Sequence, residues 1–314
     1  MSHVPVLREA AVDALNVRGS GIYVDATFGR GGHARRILDR LGPAGALLAL
    51  DADPDAIAHG RDTLAGDARV TLVHCNFREL ADVVRTRVES GRVDGVLLDL
   101  GVSSPQLDDA ARGFSFREDA PLDMRMNPDA GRTAAEWLAD VDERGLADVL
   151  STLGEERFAR RIARAIVKAR ARAPIETTAR LASIVADAVP AGAARASRVH
   201  PATRTFQALR IAVNAELDAL DEALAAAIEV LAPGGRLVVI SFHSLEDRRV
   251  KRAIRAASQP PPASRRQPAA VAFRPRLRRV GSLVRPGAEE IEHNPRARSA
   301  RMRVAERLPV EPTP

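Results

Sequence analysis

The chain contains one cysteine, Cys75, in 314 residues. A single thiol excludes an internal disulfide and fits a reducing compartment. Long hydrophobic runs are missing as well, since none approaches the roughly 20 apolar residues that span a bilayer. The N-terminus, Met-Ser-His-Val-Pro, lacks the basic and apolar regions of a signal peptide. These absences predict a soluble, cytoplasmic protein with no membrane partner. Metal chemistry lacks support, because the histidines are scattered and never meet a cysteine at ligand spacing. Lysine is nearly absent too, with Lys168 and Lys251 alone, so arginine carries almost all the positive charge of a chain whose net charge is +6. Arginine forks suit phosphate and base edges. An arginine- and alanine-rich composition also follows from a GC-rich coding genome, so the placement of the arginines is the better guide.

The segment Gly21-Ile-Tyr-Val-Asp-Ala-Thr-Phe-Gly-Arg-Gly-Gly-His33 is the richest in chemistry. A short β-branched and aromatic run ends in Asp25, the glycines Gly29, Gly31 and Gly32 follow, and a helical pattern runs from His33 to Leu41. Strand, glycine turn and helix open a nucleotide-binding α/β unit, where glycine lets the backbone approach a ligand closely. A carboxylate before that turn repels a pyrophosphate but attracts the cationic amino-acid half of S-adenosylmethionine. Further apolar strands are expected at Ala46–Leu50, Val70–Val73 and Val93–Leu98. They run into Asp51, His74-Cys75-Asn76-Phe77 and Asp99-Leu100-Gly101. Polar residues thus gather at the carboxyl ends of the strands, where open α/β sheets bind ligands, and Asp51 stands at the distance suited to ribose hydroxyls.

After the fourth strand the alternation stops. The chain reads as an α/β domain, residues 1–105 and 212–314, interrupted by an all-helical insertion at 106–211. Within the insertion, Glu155 to Arg172 is expected as one helix with Phe158, Ile162, Ile166 and Ala169 on its apolar side and Arg157, Arg160, Arg161, Arg164 and Lys168 elsewhere. Pro174 ends it, and Thr177 or Thr178 caps the next helix, to Val189. A long helix is expected from Thr203 to Leu231, stopped by Pro233-Gly234-Gly235, before a strand at Arg236–Ile240. From Ser258 to about residue 290 the composition turns to Pro, Arg and Ala, including Arg265, Arg266, Arg274, Arg276, Arg278 and Arg279. This stretch is expected to be flexible in isolation and able to order on a polyanion.

Several blocks are similar to one family: Asp25–His33, Leu98–Leu107, Gly113–Phe116, Leu122–Met126, Gly154–Phe158, His200–Arg210 and Ser241–Arg248. Together they resemble the bacterial small-subunit (16S) ribosomal RNA (cytosine-N4)-methyltransferases over roughly residues 3–255, with a weaker match at Asn294–Arg303. The resemblance implies a Rossmann-like α/β methyltransferase sheet with an inserted helical substrate-recognition domain. It also implies S-adenosylmethionine as methyl donor and a cytidine of the decoding region, in an assembled or nearly assembled subunit, as substrate. It places the cofactor contacts on Gly31, Gly32, His33, Asp51, Phe77, Asp99 and Gln106. The glycines would admit the methionine portion, Asp51 would take the ribose and Phe77 would face adenine. Asp99 is the catalytic candidate. It stands where amine methyltransferases carry an Asp/Asn-Pro-Pro-aromatic motif, but Asp99-Leu-Gly-Val-Ser-Ser-Pro105 has no aromatic after the proline, so Phe114 or Phe116 is expected to stack on the base. Cys75 follows the third strand, not the fourth, and is not expected to be a nucleophile.

Two other readings compete on the residues alone. A nicotinamide-dependent oxidoreductase would share the glycines and Asp51, but Asp25 and the incomplete Gly-x-Gly-x-x-Gly spacing oppose it. A non-catalytic RNA-binding protein would use the arginines and leave the acidic strand ends unexplained. RNA is expected to be gripped by the Arg157–Lys168 helix, the Thr203–Arg210 segment and the arginine-rich tail; a homodimer is left open.

Overall fold

The computed structural model describes residues 5–196, 199–260 and 273–309. The chain opens with α1 (Arg8–Leu15), β1 (Ile22–Asp25), α2 (Gly32–Leu38), β2 (Ala46–Asp51), α3 (Pro54–Leu64), β3 (Val70–His74), α4 (Leu80–Arg87) and β4 (Val93–Asp99). Helices follow: α5 (Ser104–Asp108), α6 (Ala134–Asp140), α7 (Glu143–Gly154), α8 (Ala159–Arg170), α9 (Thr178–Ala188), α10 (Ala191–Ala196) and α11 (Thr203–Asn214). Last come α12 (Glu216–Val230), β5 (Leu231–Ser241), α13 (Ser244–Ser258), β6 (Leu277–Val284), α14 (Ala288–His293) and β7 (Arg301–Arg307). Two compact units result, Met1–Gly101 with Leu217–Pro314, and Val102–Glu216.

In the first unit the strands form one sheet in the order β3-β2-β1-β4-β5-β7-β6. β1 to β5 are parallel, and β7 is antiparallel to both β5 and β6. This is the Rossmann-like α/β class. The central strands are near-continuous apolar runs because both faces are covered. Val24, Leu48, Leu50, Val96, Leu98, Leu237 and Val239 pack on one face with residues of α4, α12 and α13. Tyr23, Leu47, Ala49, Leu97, Val238 and Ile240 pack on the other with α1 and α2. Strand order reverses between β1 and β4, which makes their carboxyl ends the switch point where doubly wound sheets open a crevice. Asp25 and Asp99 are the terminal residues of those two strands.

The second unit encloses its own core, in which Leu146 and Leu150 of α7, Ile162 and Ile166 of α8, Leu181 and Val185 of α9, and Leu209 of α11 are all fully buried. Thr177 caps α9 by accepting the N–H of Arg180. No helix among the described residues is long and apolar enough to cross a membrane.

The elements differ from the sequence expectation in four places. The long helix from Thr203 is two helices, broken at Ala215, whose φ of 47° lies in the left-handed region. The Pro233-Gly234-Gly235 stretch is a bulge inside β5, where Val93 pairs with Leu231 but Gly95 pairs with Arg236. Glu155 to Phe158 is not helical: Glu155 (φ 48°) closes α7 and Phe158 precedes α8. The arginine-rich stretch expected to be flexible contains β6, paired with β7 along the sheet edge. Arg265 and Arg266 lie outside the described residues.

Candidate active site

The crevice is built from three carboxylates, Asp25 buried and Asp51 and Asp99 half-buried. Asp25 is 0% exposed; its Oδ1 accepts the backbone N–H of Thr27, and its Oδ2 has no hydrogen-bond partner. Burial, reinforced by the nearby charge of Asp51, pushes its pKa up to about 7. Asp51 ends β2, and its two oxygens accept the backbone N–H groups of Gly29 (2.7 Å) and Asp53 (2.9 Å). Each oxygen keeps a further lone pair for a hydroxyl donor. Burial also raises this pKa, to about 6. Asp99 ends β4, and its backbone N–H donates to the Thr27 hydroxyl at 2.7 Å. Its side chain retains 22% exposure, yet Oδ1 is buried and unpartnered. Burial and the charges of Asp25 and Glu246 hold its pKa well above the usual carboxylate range.

The glycine turn is demanded by its backbone. Gly31 sits at φ 71°, and a Cβ there would meet the Phe28 ring at 2.8 Å. At Gly32 a side chain would collide with Pro5, so its smallness serves packing against the N-terminal segment. His33, in the first turn of α2, turns its ring inward and is 4% exposed. Its Nε2 donates to the Val6 carbonyl at 3.3 Å, which leaves Nδ1 as an acceptor 3.7 Å from Oδ2 of Asp99. Burial lowers its pKa to about 4, so the ring is neutral at physiological pH. Phe77 is half-buried after β3, with part of its ring packed on the core. Burial raises the neighbouring Cys75 thiol to about 12, which keeps it an un-ionised, poor nucleophile.

Gln106 belongs to the other unit. It lies in the first turn of α5, buried, where its Oε1 accepts the Ser103 N–H and its own N–H donates back to the Ser103 hydroxyl. Of the two expected stacking residues, Phe114 is buried in the helical core and offers no base a surface. Phe116 is half-buried and packs against His200 and Phe206, with ring centroids 4.8 and 4.7 Å away.

Sequence reasoning missed Thr27 and Glu246. Glu246, at the start of α13, is 3% exposed and accepts the backbone N–H groups of Phe242 and His243. Its charge acts on Asp99 across the end of β5. The readable signal was a capping box, His243 followed three residues later by Glu246 ahead of a helical run.

The sequence profile of the MraW methylase family matches residues 1–308. The chain belongs to the MraW methylase family. It is 54% identical over 307 residues to a protein of Xanthomonas oryzae pv. oryzae named ribosomal RNA small subunit methyltransferase H, covering 98% of this chain and 89% of that one. A protein of the same name from Nitrosospira multiformis is 55% identical over 311 residues, covering 98% and 97%. Within this MraW-family chain, Gly31, Gly32, His33, Asp51, Phe77 and Asp99 all fall at the carboxyl edge of one sheet, while Gln106 opens the helical unit. The donor set is acidic and partly unpartnered, which suits a cationic ligand carrying hydroxyls and disfavours a diphosphate.

Proposed function

We propose that this protein methylates the exocyclic 4-amino group of a cytidine in the decoding region of small-subunit ribosomal RNA, using S-adenosylmethionine. The observation that carries the reading is the pair of buried, unpartnered carboxylate oxygens, Asp25 Oδ2 and Asp99 Oδ1, at the β1/β4 switch point. Leaving such atoms unpaired costs on the order of 1–3 kcal/mol each, and a ligand bearing an ammonium and a sulfonium removes that cost. Asp51 would hold the ribose, Phe77 the adenine, and Gly31 with Gly32 the methionine portion. The names of the 54–55% identical relatives support ribosomal RNA of the small subunit as the substrate.

When bound, S-adenosylmethionine supplies an electrophilic methyl group on a cationic sulfur. The cytosine amine is a weak nucleophile because its lone pair is delocalised into the ring, so the protein's work is in-line placement and proton removal. Asp99 suits the second task. A bound cation would hold its carboxylate ionised, and without that cation its buried site favours the protonated form, so Asp99 would be suited to take the proton of the methylated amine. His33, neutral and fixed by Val6, keeps Asp99 from gaining a competing cation.

The helical unit supports substrate recognition through α8, on which Arg160, Arg161, Arg164 and Lys168 are exposed. The Thr203–Arg210 segment contributes less than its composition suggests: Arg210 is bound by Glu216 through two 2.8 Å contacts, and Arg204 donates to the Glu155 carbonyl. The target base must leave its stack to reach a crevice at the sheet edge. Mass mapping of ribosomal RNA from cells with and without the protein tests the reading. Loss of one N4-methyl mark from a decoding-region cytidine is expected, and an unchanged map overturns it.

A further inference from the structure

A second feature of the sheet unit lies away from the strand ends. A cavity of about 240 Å³ runs between α13 and the β6–β7 edge, lined by Lys251, Arg255, Gln259, Arg279 and Arg303 together with small and aliphatic residues. No carboxylate and no aromatic side chain lines it. Arg303 is engaged by Asp247, at 2.7 and 3.1 Å. Lys251, Arg255 and Arg279 are exposed, and their side chains have no hydrogen-bond or ion-pair partner among the described residues.

The groove is shaped by the backbone. β6 pairs Val280 with Val304 and Val284 with Met302, so Gly281-Ser282-Leu283 bulge opposite the single residue Arg303. Gly281, at φ 64°, takes the left-handed turn the bulge requires. The bulged residues form one wall and α13 the other. Further along the same face of β7, Arg307 is 8% exposed with its Nε and Nη1 unpartnered.

We propose that this groove holds the phosphodiester backbone of single-stranded RNA flanking the target nucleotide. Three free cations with no acceptor among them match phosphate oxygens, and arginine forks pair with phosphate in bidentate fashion. With no aromatic platform, the groove cannot read or stack bases, so its grip is independent of sequence. Its position suits that role. α13 starts beside Asp99 at Glu246, and at 1.5 Å per residue Lys251 and Arg255 lie about 8 and 14 Å further along its axis. The inference rests on the RNA-methyltransferase reading for its physiological partner, but the binding itself can be read without any methylation.

The test uses the full-length protein and a fluorescent, unstructured 20-nucleotide RNA, with anisotropy measured over a salt series. Lys251→Glu/Arg255→Glu/Arg279→Glu is expected to weaken binding about 10- to 100-fold and to flatten the log–log salt slope by roughly 2, about 0.7 per lost phosphate contact. Lys251→Arg/Arg279→Lys, which keeps the charges, should retain parental affinity. S-adenosylmethionine affinity by calorimetry should be the same in all three proteins. With small subunits as substrate, the charge-reversed variant should raise KM at unchanged kcat. Unchanged affinity and slope overturn the proposal. So does a charge-reversed variant whose only change is altered self-association in sedimentation, since the groove would then seat a second copy. If the parent binds this RNA through the groove but leaves small subunits unmethylated, the groove stands and the catalytic reading falls.

Discussion

Nδ1 of His33 lies 3.7 Å from Oδ2 of Asp99, and the imidazole that faces the carboxylate is neutral. Asp99 therefore gains no permanent counter-ion from the protein. Its protonation state is left to whatever cation the crevice binds, which is what a proton acceptor needs if it is to become basic only after that cation is discharged. Asp99→Asn keeps the shape and removes the acceptor. Turnover should fall about 10²- to 10⁴-fold while cofactor affinity changes much less, a split visible in kcat against the calorimetric Kd. Turnover within a factor of two of the parent would make Asp99 a structural strand end.

Asp51 gives the complementary split. Its two oxygens already position Gly29 and Asp53, so the carboxylate is pre-ordered for ribose hydroxyls. Removing a charge-assisted acceptor costs about 1.5–3 kcal/mol, so Asp51→Ala should weaken S-adenosylmethionine binding roughly 10- to 150-fold. The same variant loses the Gly29 contact, so its melting temperature should be recorded alongside. A folded variant with parental affinity would move the ribose elsewhere.

The raised carboxylates predict a pH dependence with a definite sign. An unfolded aspartate titrates near 3.9, whereas burial pushes Asp25 to about 7 and Asp51 to about 6. Each binds its proton more tightly when folded. The stability this contributes is fully present below the unfolded value and is lost as pH rises through the folded values. The ligand-free protein should therefore lose melting temperature between pH 5 and 8, and Asp25→Asn should lose less. A cationic ligand favours the ionised forms, so S-adenosylmethionine should raise the melting temperature more at pH 8 than at pH 5.5 and release protons on binding near pH 6.5. S-adenosylhomocysteine, which lacks the sulfonium, should show a weaker pH dependence. A flat ligand-free profile would mean that these carboxylates stay ionised.

The strand ends were legible in the sequence because a buried parallel strand must be an apolar run, and the first polar residue after it marks the sheet edge. Asp25, Asp51 and Asp99 could be placed from that alone. The breaks at Ala215 and Glu155 could not. Both are left-handed residues of types that favour helices, held there by packing on either side, and local preference points the wrong way. β6 was hidden for a related reason. Leu277, Val280 and Val284 are too sparse to signal a strand, and pairing with β7 supplies what propensity lacks. The inward turn of His33 depends on Val6, which no spacing rule connects to it.

The helical unit offers the last test. α8 buries Ile162, Ala163 and Ile166, which leaves Arg160, Arg161, Arg164 and Lys168 outward. Of these, Arg164 alone has an acidic neighbour among the described residues, Glu143 at 3.5 Å, and at such exposure that pair contributes little. If this face contacts ribosomal RNA, each contact releases counterions and affinity falls with salt at a log–log slope of about −0.7 per single-stranded phosphate contact. Arg160→Glu/Arg164→Glu should then weaken RNA binding and reduce that slope by roughly 1.4, with cofactor affinity intact. The effect should add to that of the α13 groove variant, because the two surfaces belong to separate units and share no residues. RNA binding indifferent to both the charge reversal and the salt would show that α8 presents only a solvated face, and recognition would have to be sought elsewhere in the helical unit.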